Sequence, residues 1–335
     1  MAVYTHLAAE ELAELIAEYD VGRLVSAKGI AEGVSNSNWL VETTGQNGLG
    51  ARFILTLYER RIETRDLPFF LGLLDHLSAR GCPVPRTIHD RNGAAYRMVG
   101  DPGAEAGTGK AGALIEFLPG VSIERPTAAQ ARAVGAALAG IHLGAADFDR
   151  SRTNDLGPAA WRELADDCGD EALGSIDPGL PALVRNELAL FAQHWPEDLP
   201  AGVIHADLFP DNVLMVGDEV CGLIDFYFAC NDFLAYDLAV THAAWCFTAK
   251  DAFRTDVAAA LMAGYEAVRP LSEGERAALP LLARGAAMRF LATRAYDWLH
   301  TPADALVTRK DPLAFARRLS FYQTHGGDAF KSGAD

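Results

Sequence analysis

The hydrophobic pattern of this 335-residue chain changes once, near residue 120, and that change limits the folds open to it. Short runs of β-formers dominate the first part. After Thr5, Leu12, Leu15, Ile16 and Tyr19 recur at i, i+3, i+4, i+7, the spacing of an amphipathic helix. Gly29 to Thr44 reads as strand, turn, strand, with turn formers from Gly33 to Asn38. Arg52 to Tyr58 reads as a strand. Asp66 stands where it caps a helix carrying Phe70, Leu74 and Leu77, stopped by Gly81 and Pro83. Gly103 to Gly112 reads as a flexible loop, and the apolar run from Ala113 to Leu118 ends at Pro119-Gly120.

Beyond that point the helical period takes over. Thr127 and Gln130 form a capping box ahead of Val134, Leu138 and Ile141. Ser272 and Glu275 form another, opening a helix that runs towards Trp298. The exception is Val203 to Phe226, where Val213–Val216 and Val220–Ile224 flank Gly217-Asp218-Glu219 as a hairpin. No internal repeat is present. The pattern predicts an α+β, bilobal fold: a small antiparallel-sheet lobe over residues 1–118, then a larger, mainly helical lobe over 119–335, joined near Glu116 to Gly120. Such shapes commonly bind a ligand between their lobes.

Composition narrows the partners. With 29 Lys+Arg against 45 Asp+Glu the formal charge is −16, which argues against nucleic acid or an anionic membrane as a main partner. An anionic substrate would then call for a metal ion as counter-charge. The five cysteines show no zinc-type spacing, and the N-terminus lacks a secretory pattern, so a reduced, soluble, cytoplasmic protein is expected.

The informative stretch is His205-Ala206-Asp207 with Asn212 five residues on, an H-x-D-x-x-x-x-N pattern, followed by Ile224-Asp225-Phe226. Phosphoryl transfer to an alcohol needs one carboxylate to hold the hydroxyl and accept its proton. It also needs a second carboxylate and an amide oxygen to hold magnesium on the triphosphate. Asp207 fits the first role, and Asn212 and Asp225 the second. Asp and Asn in a turn often only cap backbone groups. Here the spacing, the preceding apolar strand and the following I-D-F agree with the catalytic alternative.

These residues resemble the catalytic and metal loops of the aminoglycoside-phosphotransferase-like branch of the protein-kinase-like fold. The wider wording, Gly29 to Gly33, Asn36 to Asn38, Ile54 to Tyr58, Asp66 to Phe70 and Ile224 to Asn231, resembles the homoserine kinases of that branch, and the likeness runs on to Pro312. The resemblance implies transfer of the ATP γ-phosphate to the hydroxyl of L-homoserine, giving O-phospho-L-homoserine for threonine biosynthesis, with Mg2+ as cofactor.

In one respect the chain departs from kinases of this fold. Thr56 stands where they place a phosphate-binding lysine, so Arg52, Arg60 or another cation is expected to serve instead, unless metal and loop amides suffice. Strand alternation leaves Thr56 on the side facing ligand, with Phe53, Leu55 and Leu57 facing the core. Ser35, Asn36 and Ser37 are expected to donate to phosphate oxygens, although an ordinary hairpin turn would look similar. The backbone of Glu116, Phe117 and Leu118 is expected to meet adenine. Arg289 and Asp232 are candidates for the carboxylate and ammonium of a small amino-acid acceptor. Asp237 reads as a carboxylate that anchors a helix, and His142 and His205 read as structural. Two alternatives stand beside the homoserine reading: a kinase of another alcohol or aminoglycoside, and a nucleotide-binding pseudokinase.

Overall fold

The computed structural model describes residues 7–30, 36–59, 62–100, 109–301 and 309–331. The chain divides into two compact units, Met1–Pro119 and Gly120–Asp335.

The first unit opens with helix α1 (Ala9–Ala17), whose Leu12, Leu15 and Ile16 are buried. Strands β1 (Leu24–Ile30), β2 (Asn36–Thr43) and β3 (Ala51–Tyr58) follow, then α2 (Leu67–Ala79), β4 (Thr87–Ile88), β5 (Arg97–Val99) and β6 (Lys110–Glu116). The sheet runs β1-β2-β3-β6-β4 with β5 also on β6, and every pairing is antiparallel. Antiparallel sheets bury one face cleanly. Here Trp39, Val41, Leu55, Leu57 and Leu114 meet α1 and Tyr19 in one apolar cluster. Phe53 packs against the same cluster, so the apolar face of β3 lies where alternation put it. Of the loop expected from Gly103 to Gly112, residues 103–108 lie outside the described residues, and its end is corrected by the structure: Lys110 already pairs in register with Val99, so β6 begins there.

The second unit contains α3 (Ala128–Gly144), α4 (Pro158–Cys168), α5 (Asp170–Ile176), α6 (Leu180–His194), β7 (Ala201–Ile204), β8 (Val213–Val216), β9 (Glu219–Leu223), β10 (Cys230–Phe233), α7 (Leu234–Trp245), α8 (Thr255–Val268), α9 (Glu273–His300) and α10 (Leu313–Ala329). Both capping boxes form, at Thr127 and at Ser272. The α3 and α8 backbones approach until they nearly touch. A Cβ on Gly135 would lie 2.1 Å from the Leu261 oxygen, and one on Gly264 would lie 2.0 Å from the Arg132 oxygen. Only glycine permits this crossing. Helix α7 is buried from Ala235 to Trp245, inside the unit's core.

Near the C-terminus, His242 is fully buried, with Nδ1 2.7 Å from the Tyr322 hydroxyl and Nε2 3.1 Å from the Ala329 carbonyl. Burial pushes its imidazole down to about 4 from 6.5. The unfolded chain therefore takes up this proton first as pH falls. The stability that neutral His242 protects is complete above pH 6.5 and is lost on the way down to about 4. Urea midpoints should show wild type losing about 2–3 kcal/mol more than His242→Gln between pH 7.5 and 4.5. Parallel pH curves for the two proteins would contradict this.

Candidate active site

All parts of the H-x-D and I-D-F motifs belong to the second unit, and a net of backbone hydrogen bonds binds them together. Strand β7 runs into His205 and pairs antiparallel with β10, Cys230 opposite Ile204 and Asp232 opposite Gly202. The loop after β7 then turns through Ala206 at φ +64°, a left-handed conformation that alanine rarely adopts. Asp225 is left-handed as well, at φ +65°. Strain of this kind persists only where surrounding contacts over-determine the backbone.

Those contacts are present. The Asp237 carboxylate, on α7 and fully buried, accepts from the His205 N–H at 2.7 Å and the Ala206 N–H at 2.8 Å. His142 Nε2 lies 3.0 Å from the same carboxylate, and its Nδ1 lies 2.9 Å from the Tyr265 hydroxyl. Arg289 Nη1 donates to the Ala206 carbonyl, and Trp245 Nε1 donates to the Leu208 carbonyl at 2.9 Å. His205 Nε2 donates to the Ile224 carbonyl at 3.0 Å, while Nδ1 accepts from the Asp207 N–H at 3.2 Å. The Ile224 N–H in turn donates to the Asn212 carbonyl at 3.0 Å. His205 and Asn212 thus staple the two motifs together, and the hairpin β8–β9 returns the chain to make that possible. Both ring nitrogens of His142 and of His205 are engaged in this framework, so neither imidazole is free to act as a base.

Asn212 donates through Nδ2 to the Asp207 backbone oxygen at 2.8 Å and to Asp207 Oδ2 at 3.3 Å. Its own Oδ1 accepts nothing from the described residues. Burial pushes the Asp207 carboxyl up to about 7, with Arg289 pulling it down and Asp225 pushing it further up. Burial, reinforced by Asp211, raises Asp225 to about 6, although its side chain reaches solvent and water screens part of that rise. Lys310, whose Nζ lies 5.9 Å from the Phe209 ring, acts in the opposite sense on both carboxylates. Among the described residues neither carboxylate has an ion-pair partner.

Sites expected in the first unit are placed differently. Ser35 and Arg60 lie outside the described residues. Ser37 is fully buried and donates its hydroxyl to Glu59 at 2.7 Å, while Asn36 Oδ1 accepts from the Glu59 N–H at 3.4 Å. Thr56 is 3% exposed and donates to Asn38 Oδ1 at 2.8 Å, so its hydroxyl serves the β2–β3 pairing rather than standing open to a phosphate. Arg52 is paired with Glu42 at 3.0 Å. Lys110, which sequence reasoning passed over, pairs with Glu59 at the end of β3. Glu116 is bound to Arg86 through its backbone N–H at 3.0 Å, and Phe117 and Leu118 continue half-buried beyond β6.

An antiparallel-sheet unit ahead of a helical unit that carries H-x-D-x-x-x-x-N and I-D-F on laced loops defines a class of phosphotransferases. Residues 26–271 match the model of the phosphotransferase enzyme family, and the chain belongs to that family. Within it the chain is similar to the homoserine kinases. It is 52% identical over 326 residues to homoserine kinase of Gluconobacter oxydans, covering 97% of this chain and 99% of that relative. It is 52% identical over 323 residues to homoserine kinase of Methylobacterium radiotolerans, covering 96% of each. A spectinomycin phosphotransferase solved with ADP and spectinomycin superposes with a TM-score of 0.71 at 14% identity, over 96% of this chain and 100% of that one. The resemblance read from the motifs is thus borne out, and so is the α+β, protein-kinase-like fold. No helix among the described residues is long and apolar enough to cross a membrane.

Proposed function

We propose that the chain transfers the γ-phosphoryl group of ATP to the side-chain hydroxyl of L-homoserine, giving O-phospho-L-homoserine and ADP. The observation that carries this reading is the stapled pair of loops holding Asp207, Asn212 and Asp225, in a chain half identical to homoserine kinases along nearly its whole length. Asp207 orients the acceptor hydroxyl and takes its proton as the oxygen attacks the γ-phosphorus. The bond from that phosphorus to the β,γ-bridging oxygen breaks, and the electron pair leaves with ADP. An intact Asp207 is of no use to a module that only binds nucleotide, which disfavours the pseudokinase alternative.

The donor set suits Mg2+. Among the described residues no three His, Cys, Asp or Glu side chains gather as a closed metal cage. Magnesium is ordinarily held by one or two protein oxygens together with substrate phosphates. The open Asp225 carboxylate and the unused Asn212 Oδ1 supply such oxygens, and the two raised carboxyl groups lack a compensating cation. Bound there, the ion would neutralise charge on the triphosphate. Calorimetry should find magnesium-dependent nucleotide binding weakened by about tenfold or more in Asp225→Ala, and less in Asn212→Ala, which removes a neutral donor. Unchanged magnesium dependence in Asp225→Ala removes it from this role.

On the nucleotide side, the backbone of Glu116, Phe117 and Leu118 meets adenine, and the amides around Ser35, Asn36 and Ser37 meet phosphate. The buried side chains of Ser37 and Thr56 support these contacts from behind rather than making them. A coupled ADP-release assay over L-homoserine, L-serine, choline and an aminoglycoside tests the proposal. L-Homoserine should give the highest kcat/KM. A preference for any of the other three would assign the chain to another acceptor.

A further inference from the structure

Several arginines of the second unit that lie away from solvent meet a carboxylate. Arg284 forks onto Glu187 at 2.6 and 2.9 Å, and Arg269 meets Glu275 at 2.7 Å. Arg289, on α9 and only 2% exposed, has no such partner. One of its nitrogens donates to the Ala206 carbonyl, while Nε is buried without any hydrogen-bond partner. Its guanidinium otherwise rests against aromatic faces, 4.7 Å from the Phe290 centroid and 5.4 Å from that of Phe228. Among the described residues no carboxylate forms an ion pair with it. A buried guanidinium whose contacts are a neutral carbonyl and aromatic faces, with Asp207 acting on it without an ion pair, is costly, and an anion would relieve that cost.

Its surroundings carry further unused polarity. The Tyr236 hydroxyl is fully buried and turned towards Arg289, close enough to interact with it but without a well-formed hydrogen bond, and it also feels the charge of Asp232. Asp232 is half-buried. Asn154 Nδ2 holds one of its oxygens at 2.6 Å, and the Phe233 N–H holds the other at 2.7 Å. No cation pairs with it among the described residues. The Ala206 carbonyl that Arg289 grips belongs to the residue just before Asp207. A cation and a fixed anion, neither in an ion pair among the described residues, therefore act on each other next to the residue that precedes the proposed catalytic carboxylate.

We propose that Arg289 and Tyr236 bind the α-carboxylate of the acceptor and that Asp232 binds its α-ammonium, so that these three residues select an α-amino acid among alcohols. The inference rests on the homoserine reading above and deepens it. Two methylenes separate the α-carbon of homoserine from the hydroxyl that Asp207 receives. A site built to pair both charges rejects analogues lacking either one, because a buried charge is then left unmatched.

The test compares L-homoserine with 3-amino-1-propanol, which lacks the carboxylate, and with 4-hydroxybutyrate, which lacks the ammonium. Arg289→Met should lower kcat/KM for L-homoserine and for 4-hydroxybutyrate about 10²-fold further than for 3-amino-1-propanol, because all three acceptors share whatever the loop before Asp207 loses. Asp232→Asn should do the reverse, lowering L-homoserine and 3-amino-1-propanol and sparing 4-hydroxybutyrate. Tyr236→Phe, which removes one oxygen from a filled site, should raise the KM for L-homoserine about tenfold while kcat stays within threefold. If Arg289→Met fails to fold, the Asp232 and Tyr236 variants still decide the matter. Equal losses on all three acceptors would show that these residues only brace the loop, and would overturn the inference. Wild type that ignores L-homoserine while using another alcohol would instead overturn the functional reading beneath it.

Discussion

Asp207→Asn is expected to bind ATP normally and to turn over about 10²–10⁴ times more slowly than wild type, the range for loss of a positioned base. Asparagine matches aspartate in shape, so the 2.8 Å bond from Asn212 Nδ2 to the residue 207 backbone oxygen survives the change. The carboxylate that receives the hydroxyl proton does not. Because the group acts on the reacting proton rather than on ground-state binding, the loss should appear in kcat with KM for ATP little altered. Steady-state kinetics on the purified variant measure both. Turnover near that of wild type would take Asp207 out of the reaction.

The second large effect concerns Asp237, which touches neither substrate nor metal in this account. Asp237→Ala removes the acceptor of the His205 and Ala206 N–H groups and the partner of His142, all in a fully buried setting. Each abandoned donor costs about 1–3 kcal/mol, so a loss of about 3–5 kcal/mol in unfolding free energy is expected. The left-handed Ala206 also loses the contacts that hold it there, so kcat should fall in whatever fraction remains folded. Urea denaturation gives the stability term. A shift below about 1 kcal/mol would mean that the loop holds its shape without this carboxylate.

Much of this was legible in the sequence because it rests on local signals. The alternation in β3, the capping boxes at Thr127 and Ser272, the hairpin around Gly217 and the motif spacings are all short-range patterns. Signals that span distance were not legible. Asp237 could be read as an anchor, but nothing near it in sequence showed that it grips the peptide groups of His205 and Ala206. Thr56 sat on the expected face of its strand, yet its hydroxyl is spent on Asn38 across β2. The pairing of Lys110 with Glu59 joins positions 51 residues apart, with α2, β4 and β5 between them. Strands as short as Thr87–Ile88 and Arg97–Val99 exist only because β6 offers them an edge. Arg289 could be placed on a helix face, whereas the absence of an ion-paired carboxylate for it among the described residues depends on elements far from it in sequence.

The central claim is that this site moves the γ-phosphoryl group of ATP onto the homoserine hydroxyl by way of Asp207. The most direct measurement follows the 31P spectrum of a reaction containing ATP, magnesium, L-homoserine and enzyme. Wild type should convert the γ-phosphate signal into a phosphomonoester coupled to the Cγ methylene protons of homoserine, with ADP formed in equal amount, and Asp207→Asn should leave ATP almost unchanged over the same interval. Release of inorganic phosphate without the ester, or ester formed by Asp207→Asn at the wild-type rate, would contradict the account.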